Sequence, residues 1–288
     1  MMINPKRDLG LLNGPVLLFG GPYSNLAATE AMQAEAQRLQ IPPERIICTG
    51  DVIAYCAEPA ETLELIRRWG IHVVQGNCEQ SLGADAPDCG CGFDSGSSCS
   101  LLSIEWYRYA SQRVSPEQQY WMAELPGQLD FQLGSLRFSV VHGSTQSINE
   151  FIFPGTAQAL KQARLSATAA DAVVGGHCGI PFGERLDTGY WLNAGVIGMP
   201  ANDGTQDGWY LLLKPDNDDI SAHWHRLPYQ AQQSRQRMQQ ADLCDAYAQA
   251  LITGLWPSVD ILPHRDRQLS GQPLQIKPLE LAKQSSMN

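Results

Sequence analysis

Short apolar runs alternate with longer amphipathic stretches along this chain, and several of the runs end on the same kinds of residue. The first, Val16–Phe19 (VLLF), is continuous and bounded by turn formers, as expected of a strand covered on both faces. Gly20 and Gly21 allow a sharp turn, and Ser24 or Asn25 can cap a helix over 26–39. The run at 45–50 is followed by Asp51, that at 71–76 by Asn77, that at 136–141 by His142 and that at 171–176 by His177. With a helix at 59–69 closed by Gly70, residues 15–75 read as a βαβαβ unit with parallel strands and right-handed crossovers. In an open α/β sheet, ligands bind at the loops leaving the carboxyl ends of strands. One carboxylate, one amide oxygen and two imidazoles are therefore expected to meet at one edge.

The rest of the pattern fills out a larger domain. Residues 85–100 are rich in Gly, Ser, Asp and Cys and predict an ordered loop rather than a linker. Ser115 followed by Pro116 opens a helix, and 129–141 reads as a hairpin turning at Gly134-Ser135. A helix around 155–165 and strands at 188–197 and 208–214 suggest a second sheet. Residues 1–14 read as a loose leader, 15–229 as the main domain, and 230–288 as an appended part. That part predicts a Gln- and Ala-rich helix over 231–251, then an arm docked by Trp256, Val259, Ile261 and Leu262, with a mobile end.

Composition narrows the function classes. Hydrophobic residues make up 43% and charged ones 17%, which is ordinary for a globular protein with its own core. A formal charge of −10 with no basic patch argues against a nucleic-acid surface. No apolar run is long enough to span a membrane, and the N-terminus lacks a secretory apolar region, so a cytoplasmic location is expected. Among the eight cysteines, Cys48, Cys56 and Cys244 read as packed thiols. Cys89, Cys91 and Cys99 do not have zinc-ribbon spacing; tight turns, a metal site completed by Cys78 or Cys178, and a redox-sensitive lid all stay open.

Each candidate has a plainer reading. Asp51 can cap a helix, Asn77 can make a turn, and His142 and His177 can be core histidines. Their common position one step past a strand favours ligation, and oxygen with imidazole donors suits Mn, Fe or Zn better than Ca or Mg.

Read together, Gly50-Asp51 with Tyr55, Gly76-Asn77, His142-Gly143-Ser144, Gly175-Gly176-His177 with Pro181-Phe182, and 193–200 (NAGVIGMP) resemble the calcineurin-like metallophosphoesterases over residues 15–215. The resemblance implies a four-layer αββα sandwich of two mixed sheets with a C-terminal helical extension, and a two-metal site that hydrolyses phosphate esters. It makes Asp51, Asn77, His142 and His177 the ligands of one metal. The ligands peculiar to the other metal are missing: Gly21 stands for the aspartate of the first motif, Tyr23 for its histidine, and Gly179 for the last histidine. Cys78 stands where the family has the histidine that steadies the transition state.

The expectation is therefore one divalent transition metal ion. The vacated half should offer Gly21, Ser24 and Asn25, at a helix N-terminus, to a substrate phosphate. Tyr23 is the expected hydroxyl donor, with packing as its plainer reading; Cys78 and Glu79 are the candidates for proton transfer, with a surface or capping role the plainer reading of Glu79. The partner is a small phosphorylated molecule, a phosphate ester or nucleotide. The alternative is a catalytically silent relative that binds a metal or a phosphorylated ligand as a sensor or scaffold.

Overall fold

The computed structural model describes residues 5–92, 96–216 and 219–283, without the side chains of residues 98 and 99. The chain runs β1 (Lys6–Leu12), β2 (Val16–Phe19), α1 (Leu26–Arg38), β3 (Ile46–Cys48), α2 (Pro59–Trp69), β4 (His72–Val73), α3 (Asn77–Gly83), α4 (Ser98–Ser111) and α5 (Pro116–Ala123). It continues with β5 (Gln128–Leu133), β6 (Leu136–Val141), α6 (Gln158–Ser166), β7 (Ala172–Gly175), β8 (Phe182–Arg185), β9 (Tyr190–Asn193), β10 (Gly208–Asp216) and β11 (Asp219–Leu227). The last elements are α7 (Ala231–Gln240), α8 (Asp245–Thr253), α9 (His264–Arg267) and β12 (Leu279–Leu281).

The strands form two mixed six-stranded sheets, ordered β1-β5-β6-β7-β9-β8 and β12-β11-β10-β2-β3-β4. Period-two alternation assigns each face. In β2, Val16 and Leu18 enter the core shared with Phe138, Val140, Val174 and Leu192 of the other sheet. Leu17 and Phe19 point the opposite way, against Met32 and Ala36 of α1 and Leu63 and Ile66 of α2. Trp191 and Val173 of the first sheet likewise turn outward to Leu165 of α6. The result is helices, sheet, sheet, helices, which is the four-layer α/β sandwich expected.

Local rules set most boundaries. Asn25 caps α1 through its side chain, Ser115 and Gln118 form a reciprocal capping box on α5, and Gly70 ends α2 in the left-handed conformation. The β5–β6 hairpin pairs Leu133 with Leu136 across Gly134-Ser135.

Three expectations on organisation change. The supposed leader contains β1, which pairs in parallel with β5 from Lys6↔Gln128 to Leu12↔Leu133. Its side chains stay mostly exposed because it is an edge strand, so it carries little apolar signal. The helix expected over 231–251 is two helices, whose Met238, Tyr247 and Leu251 join the same core cluster as α1 and α2. The end expected to be mobile contains β12, which pairs with β11 from Ile220↔Leu281 to Ala222↔Leu279.

Candidate metal centre

The ends of β3, β4, β6 and β7 deliver Asp51, Asn77, His142 and His177 to one buried point. His142 Nε2 lies 3.0 Å from Asn77 Oδ1, 3.0 Å from His177 Nδ1 and 3.2 Å from Asp51 Oδ2. The donor atoms of Asp51, His142 and His177 all fall within 4.8 Å of one another. Asn77 Oδ1 joins this cluster through His142 Nε2.

Hydrogen-bond accounting favours a cation there. His142 Nδ1 lies 2.7 Å from the carbonyl oxygen of Thr49, which can only accept, so Nδ1 carries a proton. In the neutral ring Nε2 is then a lone pair facing Asn77 Oδ1 and Asp51 Oδ2, both acceptors as well. A proton, on Nε2 itself or donated by His177 Nδ1 at 3.0 Å, or a metal ion satisfies that lone pair. Backbone support of a ligating imidazole through its other nitrogen is the usual way a metal ligand is oriented.

The titration behaviour follows from the same close packing. Burial opposes ionisation of Asp51, but the imidazoles of His142 and His177 outweigh it and hold the carboxyl below its ordinary range. Burial opposes the His142 imidazolium too, yet the Asp51 charge and hydrogen bond raise its pKa. His177 is pushed down to about 3, first by burial and then by His142, so it stays neutral and able to ligate.

Asp51 is held in place by strain and by close backbone contact. Its φ of +55° is unusual for a residue with a side chain. A Cβ on Gly76 would lie 2.3 Å from Asp51 Oδ1 and 2.4 Å from its nitrogen, so only glycine lets the Asp51 and Asn77 loops touch. Asn77 is oriented in turn by the cysteine loop. Its Nδ2 donates to the Cys89 carbonyl at 2.9 Å and lies 3.3 Å from Cys91 Sγ, which leaves Oδ1 turned to His142. Cys89 and Cys91 are disulfide-bonded, and Cys178 sits apart, accepting from Asn193 Nδ2 at 3.2 Å. The side chain of Cys99 lies outside the described residues.

The proton-transfer candidates fare differently. Glu79 is fully buried and its oxygens accept the backbone N–H groups of Asp51 (2.7 Å), Val52 (2.8 Å), Ile53 (3.3 Å) and Gly76 (3.0 Å). Burial and the Asp51 charge raise its pKa to about 7, with His142 and those donors pulling the other way. Its carboxylate ties two loops together and does not face the cleft, so the expected acid–base role is replaced by a positioning one. The Cys78 thiol is pushed well up by burial and then by Asp51 and Glu79, the opposite of an activated thiolate, while the Cys78 N–H donates to Asp51 Oδ1 at 3.1 Å. Tyr23 lines the cleft with Asp51 and His177, and burial followed by the Asp51 charge keeps its phenol protonated.

The expected anion cradle is not there. The N–H groups of Gly20, Gly21, Tyr23, Ser24 and Asn25 donate to the carbonyls of Gly195, Gly50, Asp51, Val52 and Pro22. Asn25 Oδ1 takes the Ala28 N–H and the Ser234 hydroxyl, and its Nδ2 donates to the Gly198 carbonyl. Ser24 Oγ takes the Ala54 N–H. Helix α1 is thus capped from within and covered by α7, which leaves Gly21, Ser24 and Asn25 no free backbone N–H for a substrate phosphate.

A profile of the calcineurin-like phosphoesterase superfamily domain matches residues 24–218. The chain belongs to the calcineurin-like phosphoesterase superfamily. The match starts after Gly21 and Tyr23, where the first motif departs from the family pattern. An uncharacterized protein of Methanocaldococcus jannaschii is 23% identical over 250 residues, 81% of this chain and 95% of that one. A metallophosphoesterase of Sphaerobacter thermophilus superposes with a TM-score of 0.66 at 22% identity, covering 84% of this chain and 99% of its own. A hypothetical protein of Pyrococcus horikoshii OT3 superposes with a TM-score of 0.72 at 16% identity over the same shares. At these identities the likeness is one of fold. Among the described residues, no helix is long and apolar enough to cross a membrane.

Proposed function

We propose that this chain is a metal-dependent phosphoesterase that holds a single divalent transition metal ion, Mn, Fe or Zn, on Asp51, Asn77, His142 and His177. The observation carrying the proposal is the convergence of Asn77 Oδ1, Asp51 Oδ2 and His177 Nδ1 within 3.2 Å of His142 Nε2, an arrangement that suits one cation. What a divalent ion supplies in such a site, when bound, is Lewis-acid polarisation of a phosphoryl oxygen and a more acidic water. Hydrolysis then breaks one P–O ester bond, forms one to the water oxygen, and leaves the alcohol with the proton.

The chain's own residues set the geometry. Glu79 and Gly76 fix Asp51, Thr49 fixes the tautomer of His142, and the Cys89–Cys91 turn aims Asn77. Tyr23, kept protonated, is suited to donate to an oxygen of the bound ester.

A catalytically silent, metal- or ligand-binding relative is the second reading. It is favoured by a specific feature: the place where a first-motif side chain would stand is filled, since a Cβ on Gly21 would meet the Tyr23 ring at 2.5 Å and Val196 Cγ1 at 2.7 Å. Elemental analysis of the purified protein, followed by an aryl phosphate assay with Mn, Fe or Zn added, separates the two. One bound ion with turnover abolished by His142→Ala supports the hydrolase. One bound ion without turnover on a broad phosphate panel supports the silent relative.

A further inference from the structure

The side chains of Asp51 and His177 open into a half-covered cleft of about 670 Å³, its solvent-open mouth included. Two features of its walls are independent of the metal ligands. The first is charge. Among the described residues lining it, Asp51 is the sole carboxylate and there is no lysine or arginine. Sites that grip phosphate dianions or polyphosphates normally supply cationic forks or a ring of free backbone donors. Here guanidinium and ammonium groups are missing from the lining, and the backbone donors at Gly20–Asn25 already have partners. One divalent ion beside one aspartate leaves a single positive charge, enough to balance a monoanion.

The second feature is shape. Five aromatic rings line the cleft: Tyr23, Tyr55, Phe151, Tyr247 and Trp256. Phe151 stacks on His177 with ring centres 4.2 Å apart, which sets one flat wall directly beside a metal donor. Tyr55 packs against Tyr23 at 4.8 Å and Tyr247 at 4.7 Å, continuing the aromatic lining. Trp256 is half-buried and pinned by two bonds: its Nε1 donates to the Pro200 carbonyl at 2.7 Å, and its N–H to Asn202 Oδ1 at 2.9 Å. Tyr247 and Trp256 come from the C-terminal part, beyond residues 24–218 matched by the family profile.

Resting on the hydrolase reading above, we infer that the substrate is a singly charged phosphodiester whose retained ester group, the one not cleaved, is flat and aromatic, such as an aryl or nucleobase moiety, and is held against Trp256. Each turnover adds one water, breaks one P–O bond and gives a phosphate monoester and an alcohol. The monoester gains negative charge that the cleft has nothing to balance, which favours its release. Stacking of a flat group on an aromatic side chain is strong enough to set selectivity.

Three esters with the same leaving group separate charge from shape: p-nitrophenyl phosphate, methyl p-nitrophenyl phosphate and bis(p-nitrophenyl) phosphate, assayed at pH 8 on the Mn-loaded full chain. The expected order of kcat/KM is bis-aryl diester, then methyl diester, then monoester, with at least tenfold between first and last. Trp256→Ala should raise KM for the bis-aryl diester about tenfold and leave the methyl diester within about twofold, while Trp256→Phe restores most of the loss. A preference for the monoester, or equal effects of Trp256→Ala on both diesters, overturns the inference and leaves the hydrolase reading standing. Turnover of none of the three overturns the hydrolase reading instead. Calorimetric titration of the same Mn-loaded protein then decides the inference alone. Diphenyl phosphate binding more tightly than phenyl phosphate, and weakened by Trp256→Ala, supports it; equal or absent binding overturns it.

Discussion

Glu79 accepts the backbone N–H of Asp51 at 2.7 Å, while the N–H of Cys78, next to Glu79, donates to Asp51 Oδ1 at 3.1 Å. The two loops that carry metal-donor residues are thus stitched in both directions. Removing the Glu79 carboxylate would strand four buried backbone donors at once. Each such group costs about 1–3 kcal/mol when left without a partner, although relaxation recovers part of the total. Glu79→Ala should lower the unfolding free energy by about 3–5 kcal/mol and weaken metal affinity at least tenfold, read by denaturant melts and metal titration. A Glu79→Gln protein with normal stability and full metal content, yet a hundredfold slower, would instead make Glu79 a proton-transfer residue.

Metal content provides the next measurement. Because Asp51, His142 and His177 share one point, deleting any of them should lower bound metal from about one equivalent toward none. Thr49 is a subtler case, since it holds His142 through its backbone carbonyl and Thr49→Ser preserves that bond. Thr49→Ser should therefore keep the metal that His142→Ala loses, as determined by elemental analysis after reconstitution with Mn or Zn. Equal metal retention in Asp51→Ala and the parent chain would remove the basis for the proposed centre.

The convergence of Asp51, Asn77, His142 and His177 was legible because each follows a strand by one to four residues, a spacing the sequence displays directly. The supporting residues were less so. Gly76-Asn77 looks like a turn pair, but Gly76 is the N-cap of α3 and Glu79 its third residue, bonding back to the Gly76 N–H. That spacing marks a helix start, and the capping role that is the plainer reading of Glu79 is the one the fold uses. The phosphate cradle failed for a related reason. Asn25 was read both as the cap of α1 and as a donor for substrate, and the cap consumes it. The strands β1 and β12 escaped because one is exposed along most of its length and the other has three residues. The wall formed by Tyr247 and Trp256 is set by tertiary packing, which no local pattern reports.

One ion pair ties the loop carrying Phe151 to α6. Arg164 donates from Nε and Nη2 to the two carboxylate oxygens of Glu150, at 2.7 and 2.6 Å. The Arg164 hydrogen bonds outweigh partial burial and hold the Glu150 carboxyl below its ordinary 4.5. A pKa lowered by folding contributes stability above the unfolded value and loses it as pH falls through the folded value. The melting temperature of the parent chain should exceed that of Glu150→Gln by about 1–3 °C at neutral pH. That gap should stay level down to about pH 5 and close below the ordinary 4.5. A gap that widens on acidification would contradict the pairing.

The C-terminal helices are part of the core rather than an accessory. Met238 of α7 is fully buried against residues of α1 and α2, and Ser234 donates to the Asn25 cap at 2.6 Å. Met238→Ala should destabilise the protein by about 2–4 kcal/mol through the cavity it leaves. Ser234→Ala should cost about 1 kcal/mol by removing one hydrogen bond to the cap. Chemical denaturation should show a single transition for both, because α7 and the main domain share one hydrophobic cluster. A separate early transition confined to α7 and α8 would show that they dock without sharing the core.

The case for one metal rather than two depends on what fills the neighbouring volume. At Gly21 an added Cβ would lie 2.5 Å from the Tyr23 ring and 2.7 Å from Val196 Cγ1, with φ at +43°. At Gly179 it would meet Trp256 and Val196 at 3.6 Å, ordinary contact, although φ is +71°. Restoring the family's ligands by Gly21→Asp alone must therefore clash with the ring that replaced one of them. Gly21→Asp by itself is expected to destabilise the protein by about 2–4 kcal/mol without adding a metal. Gly21→Asp, Tyr23→His and Gly179→His combined with Val196→Ala removes both obstructions and should raise stoichiometry from one ion toward two. If that fourfold variant folds, as judged by its melt, and still binds one ion, then Gly21 and Tyr23 do not occupy the positions of the missing ligands. If the parent chain binds two ions, the aromatic and aliphatic packing around Gly21 has not displaced the second, and the single-metal centre falls.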